Sequence, residues 1–255
     1  MSQVGVLRWM VELGRVDIIA EVSMLASHSA LPREGHLEAL LHVYGYLDNN
    51  HNAAMVFDPT HPDIDYEAFK DCDWNEFYGN VKEPIPPNAP APRGKPVDLR
   101  MMVDADFAGD QLTRRSRSGH IIFLNMAPVD WMSKKQPTCE TSVFGAEFVA
   151  MKMAMEASRG IRYKLRMMGV EITGPTCTYG DNMSVIHNTQ RPESVLKKKS
   201  NSVCYHAVRE SVAMDEMRTS HVRSQFNAAD ICTKVITVKS KRDSLIKLLL
   251  YYLAD

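Results

Sequence analysis

Four acidic side chains stand where a solvated surface charge is not the ready explanation: Asp104, Glu147, Asp181 and Asp230. Asp104 closes an alternating run in which Leu99, Met101 and Val103 oppose Arg100 and Met102, the pattern of a strand with two unlike faces. Asp181 follows a second strand-like run, Thr176 to Tyr179, inside a Gly-Asp-Asn turn. If these strands are parallel neighbours, their carboxyl ends meet where open α/β sheets place ligands, and both carboxylates face one crevice. Glu147 lies among Phe144, Phe148 and Met151, at the margin of an apolar helix stripe. A carboxylate aimed at a sheet is costly unless a cation or a donor meets it. Asp230 opens a late helix after Asn227-Ala228-Ala229 and is expected to reach the same strand ends. Converging carboxylates repel one another, and a divalent cation bound by hard oxygens is one ordinary way to keep several of them ionised. Four acids suit two Mg2+ ions, with Mn2+ as a substitute, and ions about 3.5–4 Å apart hold a phosphodiester for hydrolysis. Taken one at a time, each Asp also reads as a turn or cap residue.

The elements that must position these acids follow from periodicity. Ile18, Val22, Leu25 and Ala26 share one helical face, with Asp17 as the expected cap. A second helix is expected to start at Pro32 and Glu34, bury Leu37, Leu40, Leu41, Tyr44 and Leu47, and end at Asn49-Asn50. His36 and His42 on it lack a matched metal spacing and read as helix-surface residues. Between Glu83 and Pro96, prolines at 84, 86, 87, 90, 92 and 96 exclude a helix or central strand and predict a linker or an extended crossing segment. Beyond it, the strand at 99–104 and the runs His120–Leu124 and Val129–Met132, joined by Asn125-Met126-Ala127-Pro128, read as a three-stranded antiparallel meander. From Ser142 the period changes to that of a long helix, with an interruption expected near Gly160. A strand at Thr176–Tyr179, a short helix, a helix around Tyr205–Val212, a strand near Thr219–Val222 and helices from Ala228 and Lys241 complete the order. Such a series is a mixed α/β sheet with helices on its faces.

The formal net charge is only −1, so affinity for nucleic acid has to come from local clusters of Lys and Arg. Three exist: Arg114, Arg115 and Arg117; Lys134 and Lys135; and Lys197, Lys198 and Lys199. Each could contact phosphates, and each also reads as a solvated charged face. The five cysteines are scattered singly, without the close pairs of zinc sites or disulfide scaffolds, and read as reduced thiols. The N-terminus has no basic segment leading into an apolar run, and no stretch approaches the ~20 apolar residues that cross a bilayer. An intracellular protein without membrane contact is expected. His187, His206 and His221 are weaker functional candidates, His206 with an internal hydrogen bond as its expected role.

The strings VDADFAGD, SGHIIFL, WMSKKQPT, TSVFGAEFVAM, YGDNMSVI, YHAVRE and NAADICTK occur in the order and spacing of the ribonuclease H region of copia-type retrotransposon Pol polyproteins. The resemblance covers roughly residues 98 to 236, and the helical stretch before it is similar to the connection that joins reverse transcriptase to that nuclease. It implies a ribonuclease H-like five-stranded mixed sheet flanked by helices. The expected divisions are a helical connection-like segment (1–83), a Pro-rich linker (84–97), the nuclease-like domain (98–240) and a C-terminal helix (241–255). Carried over residue by residue, the four metal-binding acids of the family fall on Asp104, Glu147, Asp181 and Asp230. Members often carry Glu where this chain has Gly145, and Trp where it has Phe107, expected here as an aromatic core residue.

The function implied is metal-dependent hydrolysis of the RNA strand of an RNA–DNA hybrid. The partners implied are that hybrid and the polymerase portion of the same polyprotein, in the cytoplasm or in virus-like particles. No Asp-Asp pair occurs anywhere in the chain, so polymerase activity is not expected, and the chain reads as a fragment or terminal portion. A silent relic that folds and binds nucleic acid or docks onto a polymerase is the alternative. An integrase or transposase is a third reading, disfavoured by the Asp in NAADICTK.

Overall fold

The computed structural model describes residues 2–196 and 199–253. Three helices come first, α1 (Ser2–Glu12), α2 (Ile19–Ser27) and α3 (Glu34–Asn49), then a short strand β1 (Ala53–Met55) and a single helical turn α4 (Asn75–Tyr78). The meander follows as β2 (Leu99–Asp106), β3 (Arg117–Leu124) and β4 (Ala127–Lys135). After it come α5 (Val143–Met167), β5 (Thr176–Gly180), α6 (Met183–Gln190), α7 (Ser202–Ala213) and β6 (Met217–His221). The last elements are α8 (Asp230–Thr233), α9 (Lys239–Ile246) and β7 (Leu250–Tyr252). The main sheet has the order β4-β3-β2-β5-β6. Its first three strands are antiparallel, and β5 and β6 continue it in parallel with β2. This is the expected five-stranded mixed sheet with helices on its faces.

Two apolar layers sandwich that sheet, and the pleat of β3 shows how. Ile122 joins Leu99, Met101 and Val103 against Phe148, Met151 and Met155 of α5 and Tyr205 and Val208 of α7. Its neighbours Ile121 and Phe123 point the other way, into Ala228, Ile231 and Cys232 and into Leu7, Val22, Leu25 and Leu47 of the N-terminal helices. Covered on both faces, β3 is buried along nearly its whole length, unlike an alternating half-wet strand.

The 25-residue α5 is capped by Ser142, whose Oγ accepts from the Gly145 amide at 3.2 Å, and Gly169 at φ 71° follows its C-terminus. It runs unbroken through Gly160, where a side chain would meet nothing within 4 Å, so the expected interruption is absent.

Other expectations are corrected. Asp17 caps nothing: its buried carboxylate is held by Arg15 Nη2 at 2.7 Å and by the Tyr46 hydroxyl at 2.9 Å. On α3 the buried stripe is Leu40, Val43 and Leu47, while Leu37 and Leu41 are 53% and 59% exposed, a rotation of the helix that the leucines alone misassign. His36 has a local role, its Nδ1 accepting from the Arg33 amide at 3.0 Å. The helix expected over 241–255 occupies Lys239–Ile246, after which β7 pairs antiparallel with β1.

The Pro-rich segment is extended and tied down. Glu83 takes guanidinium groups from Arg162 at 2.7 Å and Arg166 at 2.5 Å, and the Arg93 and Val97 amides donate to Gly169 and Glu171 carbonyls. All five cysteines are free thiols. Among the described residues, no helix is long and apolar enough to cross a membrane.

Candidate metal centre

Parallel pairing of β2 with β5 sets Val103 beside Gly180, so Asp104 and Asp181 stand at the same level, although Asp104 does not close its strand as expected, because pairing with β3 carries β2 on to Asp106. The second turn of α5 brings Glu147 over them. One carboxylate oxygen from each of Asp104, Glu147 and Asp181 lies within 4.8 Å of the other two. Asp104 and Glu147 are 1% and 8% exposed, whereas Asp181 is half-buried.

Neighbouring donors orient the trio. The Thr233 hydroxyl donates a short hydrogen bond to Asp104 Oδ2, and Ser224 Oγ donates to Asp181 Oδ2 at 2.7 Å. Asn182, beside Asp181, caps α6 by accepting from the Ser184 and Val185 amides at 3.1 and 3.3 Å.

α8 is held down on the sheet by two devices. Asn227 Nδ2 donates to the Val103 carbonyl at 2.9 Å, while its Oδ1 accepts from the Ala229 amide at 3.2 Å. Gly119 lies opposite Asp104 across the β2–β3 ladder, and a Cβ there would fall 2.6 Å from Cys232 Cβ and 2.7 Å from Thr233 Cγ2. Only a glycine lets α8 come this close.

Burial raises the Asp104 carboxyl above the usual range, Lys234 opposes the shift, and Asp230 and Asp181 add to it. Glu147 is pushed up further by burial and then by the charges of Asp104 and Asp181. Three carboxyl groups crowded to within 4.8 Å, two of them buried, are a donor set that fits a hard divalent cation.

Asp230 is adjacent but stands outside the trio. It is fully buried, with Lys234 Nζ 2.7 Å from Oδ1 and Lys241 Nζ 2.5 Å from Oδ2. Lys234 Nζ also lies 3.4 Å from Asp104 Oδ2, which links the fourth acid to the other three.

Sequence reasoning passed over Thr233, Lys234, Lys241, Ser224 and Asn227. For Lys234 a clue was present, since it follows Asp230 by four residues, a spacing at which a lysine can reach back to a carboxylate across one helical turn.

The basic clusters divide. Arg114, Arg115, Lys134 and Lys199 are exposed. Arg117 is buried and donates to Ser23 Oγ at 2.5 Å and Ser133 Oγ at 3.3 Å, so it pins α2 to the sheet and is not free to meet a phosphate. Lys135 is paired with Asp110 at 2.8 Å. Lys197 and Lys198 lie outside the described residues. Phe107 is 36% exposed, not a core residue, because β2 has ended before it. His206 Nδ1 lies 2.9 Å from the Tyr78 hydroxyl, and His187 and His221 are exposed.

No family model matches the chain. It is 25% identical over 223 residues to the retrovirus-related Pol polyprotein from transposon RE1 of Arabidopsis thaliana, covering 88% of this chain and 13% of that protein. With the Pol polyprotein from transposon RE2 of the same plant it shares 28% identity over 145 residues, 57% of this chain and 10% of the relative. The chain thus spans about a tenth of the length of these relatives. Among solved structures, RNase H1 from the archaeon Halobacterium salinarum aligns with 55% of this chain and 95% of its own, at 15% identity and a TM-score of 0.41.

Proposed function

We infer that this chain, whose homologues are transposon Pol polyproteins, is their ribonuclease H part: a metal-dependent endonuclease that hydrolyses the RNA strand of RNA–DNA hybrids. The observation that carries the reading is the convergence of Asp104, Glu147 and Asp181, from three separate elements, to within 4.8 Å in a fold of this class. Those three and Asp230 are the residues assigned to hold two Mg2+ ions, or Mn2+ in their place. Such ions supply the polarisation of water and of the leaving oxygen that phosphodiester hydrolysis needs.

The rest of the centre positions. Thr233 and Ser224 each donate to one oxygen of Asp104 and Asp181, which fixes where the remaining carboxylate lone pairs point. Asn227 and Gly119 keep α8, and with it Asp230, against β2. Arg114, Arg115, Lys134 and Lys199, which are exposed, are assigned to meet phosphates in a sequence-independent, salt-sensitive way, and Lys197 and Lys198 are assigned the same part. The partners of this reading are the hybrid, distinguished from duplex DNA by its 2′-hydroxyls, and the polymerase portion of the same polyprotein, in the cytoplasm.

The test is cleavage of an end-labelled RNA–DNA hybrid by the purified chain. Product that needs Mg2+ and is lost in Asp104→Asn and Asp181→Asn supports the reading, whereas equal cleavage by wild type and both variants, or none by any of them, defeats it.

A further inference from the structure

We propose that the Lys234 ammonium holds the place of a second divalent cation between Asp104 and Asp230. The resting chain then offers one open cation position, on Asp104, Glu147 and Asp181, and gains the other only when Lys234 withdraws. The proposal rests on the nuclease reading, because it assigns parts to the same four acids.

The charge pattern of the centre is uneven. Neither Glu147 nor Asp181 has a salt-bridge partner among the described residues, whereas Asp230 has two. Of these, Lys241 reaches Asp230 alone, but Lys234 bridges, 2.7 Å from Asp230 Oδ1 and 3.4 Å from Asp104 Oδ2. A cation that touches buried carboxylates from two different elements occupies the space between them. Two such carboxylates brought together by folding need a positive charge there, and leaving them bare would be expensive.

Lysine suits a placeholder. Its ammonium is a compact point charge on a flexible stem, and this side chain is 40% exposed, so the head can move into water while the backbone stays fixed at the end of α8. A monovalent head offers one charge and only N–H donors to the two carboxylates it bridges. A divalent ion brings twice the charge and can take an oxygen of each carboxylate as a ligand, which gives it the stronger claim on the position once the lysine has somewhere else to go. Lys241 remains on Asp230 Oδ2 throughout, so the acid keeps a partner during the exchange. Asp104 likewise keeps the Thr233 hydroxyl.

A purely structural lysine, one that only fastens α8 to β2, would change stability on removal and leave ion binding alone. The two roles separate in a titration of the purified chain with Mn2+, without nucleic acid, in which free Mn2+ is counted by electron paramagnetic resonance. Wild type is expected to bind one ion, with the second weaker by about tenfold or more. In Lys234→Gln the second ion should tighten to within about threefold of the first, while Lys241→Gln should keep the wild-type pattern. Unchanged binding in Lys234→Gln, or an equal change in both variants, overturns the proposal.

Should Lys234→Gln not fold, the wild-type protein carries the test alone. With 15N-labelled lysine, the Lys234 Nζ resonance should stay in place through the first equivalent of Mg2+ and move with the second. Movement with the first equivalent, or no movement at saturation, overturns the proposal equally. Because neither measurement uses a substrate, an inactive protein with the expected binding pattern would sink the nuclease reading and not the role of Lys234, and the converse would spare the nuclease.

Discussion

Glu147 sits under pressure from every side: it is 8% exposed and faces Asp104 and Asp181, with no ion-pair partner among the described residues. In the unfolded chain it releases its proton near 4.5, whereas in the metal-free fold burial and the two neighbouring charges push it up to about 9. A carboxyl raised in this way favours the fold at low pH and loses that contribution as pH climbs through the window between the two values. The metal-free protein should therefore melt at a lower temperature at pH 8 than at pH 5.5. Glu147→Gln should flatten the dependence and saturating Mg2+ should raise the melting temperature at pH 8, all readable by circular dichroism. Hybrid cleavage by Asp104→Asn should fall by at least about 100-fold, since the side chain keeps its shape and loses the charge at the crossing of all the contacts described. At this scale the sequence was legible where an acid sat beside a strand end or an apolar stripe, and less so where partners came from afar. Arg117, in a basic run, is buried because Ser23 and Ser133 claim it from 94 and 16 residues away, a fact that no local pattern carries.

Strands and helices were the most readable layer, and their failures have one cause. The meander, the long helix and the β5 strand are local patterns with strong periodicity. The face of α3 is not local: Leu37 and Leu41 are as apolar as Leu40 and Leu47, and only the position of the sheet decides which of them is covered. Close approach is equally invisible. Gly119 reads as an ordinary residue within a strand, yet a methyl group there would strike Cys232 and Thr233. Gly119→Ala should cost about 1–3 kcal/mol in chemical denaturation and weaken Mn2+ binding, because α8 must lift and Asp230 with it. The proline-rich segment shows the same limit. Its composition excludes regular structure and says nothing of Glu83, whose carboxyl, despite burial, is held down to about 2 by Arg162 and Arg166. Glu83→Ala should destabilise the chain by about 2–3 kcal/mol at pH 7, since Arg162 is left buried without its counter-charge.

For the whole molecule, the division into 1–83, 84–97, 98–240 and 241–255 can be tested by cutting. The N-terminal helices share one apolar cluster with Ile121 and Phe123 of the sheet and with Leu245 and Ile246 of α9. Deleting residues 1–52 strips that face of the sheet, and the remainder should lose its cooperative thermal transition and bind a dye specific for exposed apolar surface. A truncated chain that melts as sharply as the whole one would establish that residues 53–255 fold without the N-terminal helices. The small ladder between β1 and β7 adds a consequence in time. Asn52 Nδ2 donates to the Leu253 carbonyl across 201 residues, and among the described residues β1 pairs with no strand but β7. On the ribosome, the first helices therefore emerge long before the segment that closes over them, and they must wait unsheltered until it arrives. Slowing translation near codon 240 should lengthen that interval and raise the share of nascent chains captured by chaperones.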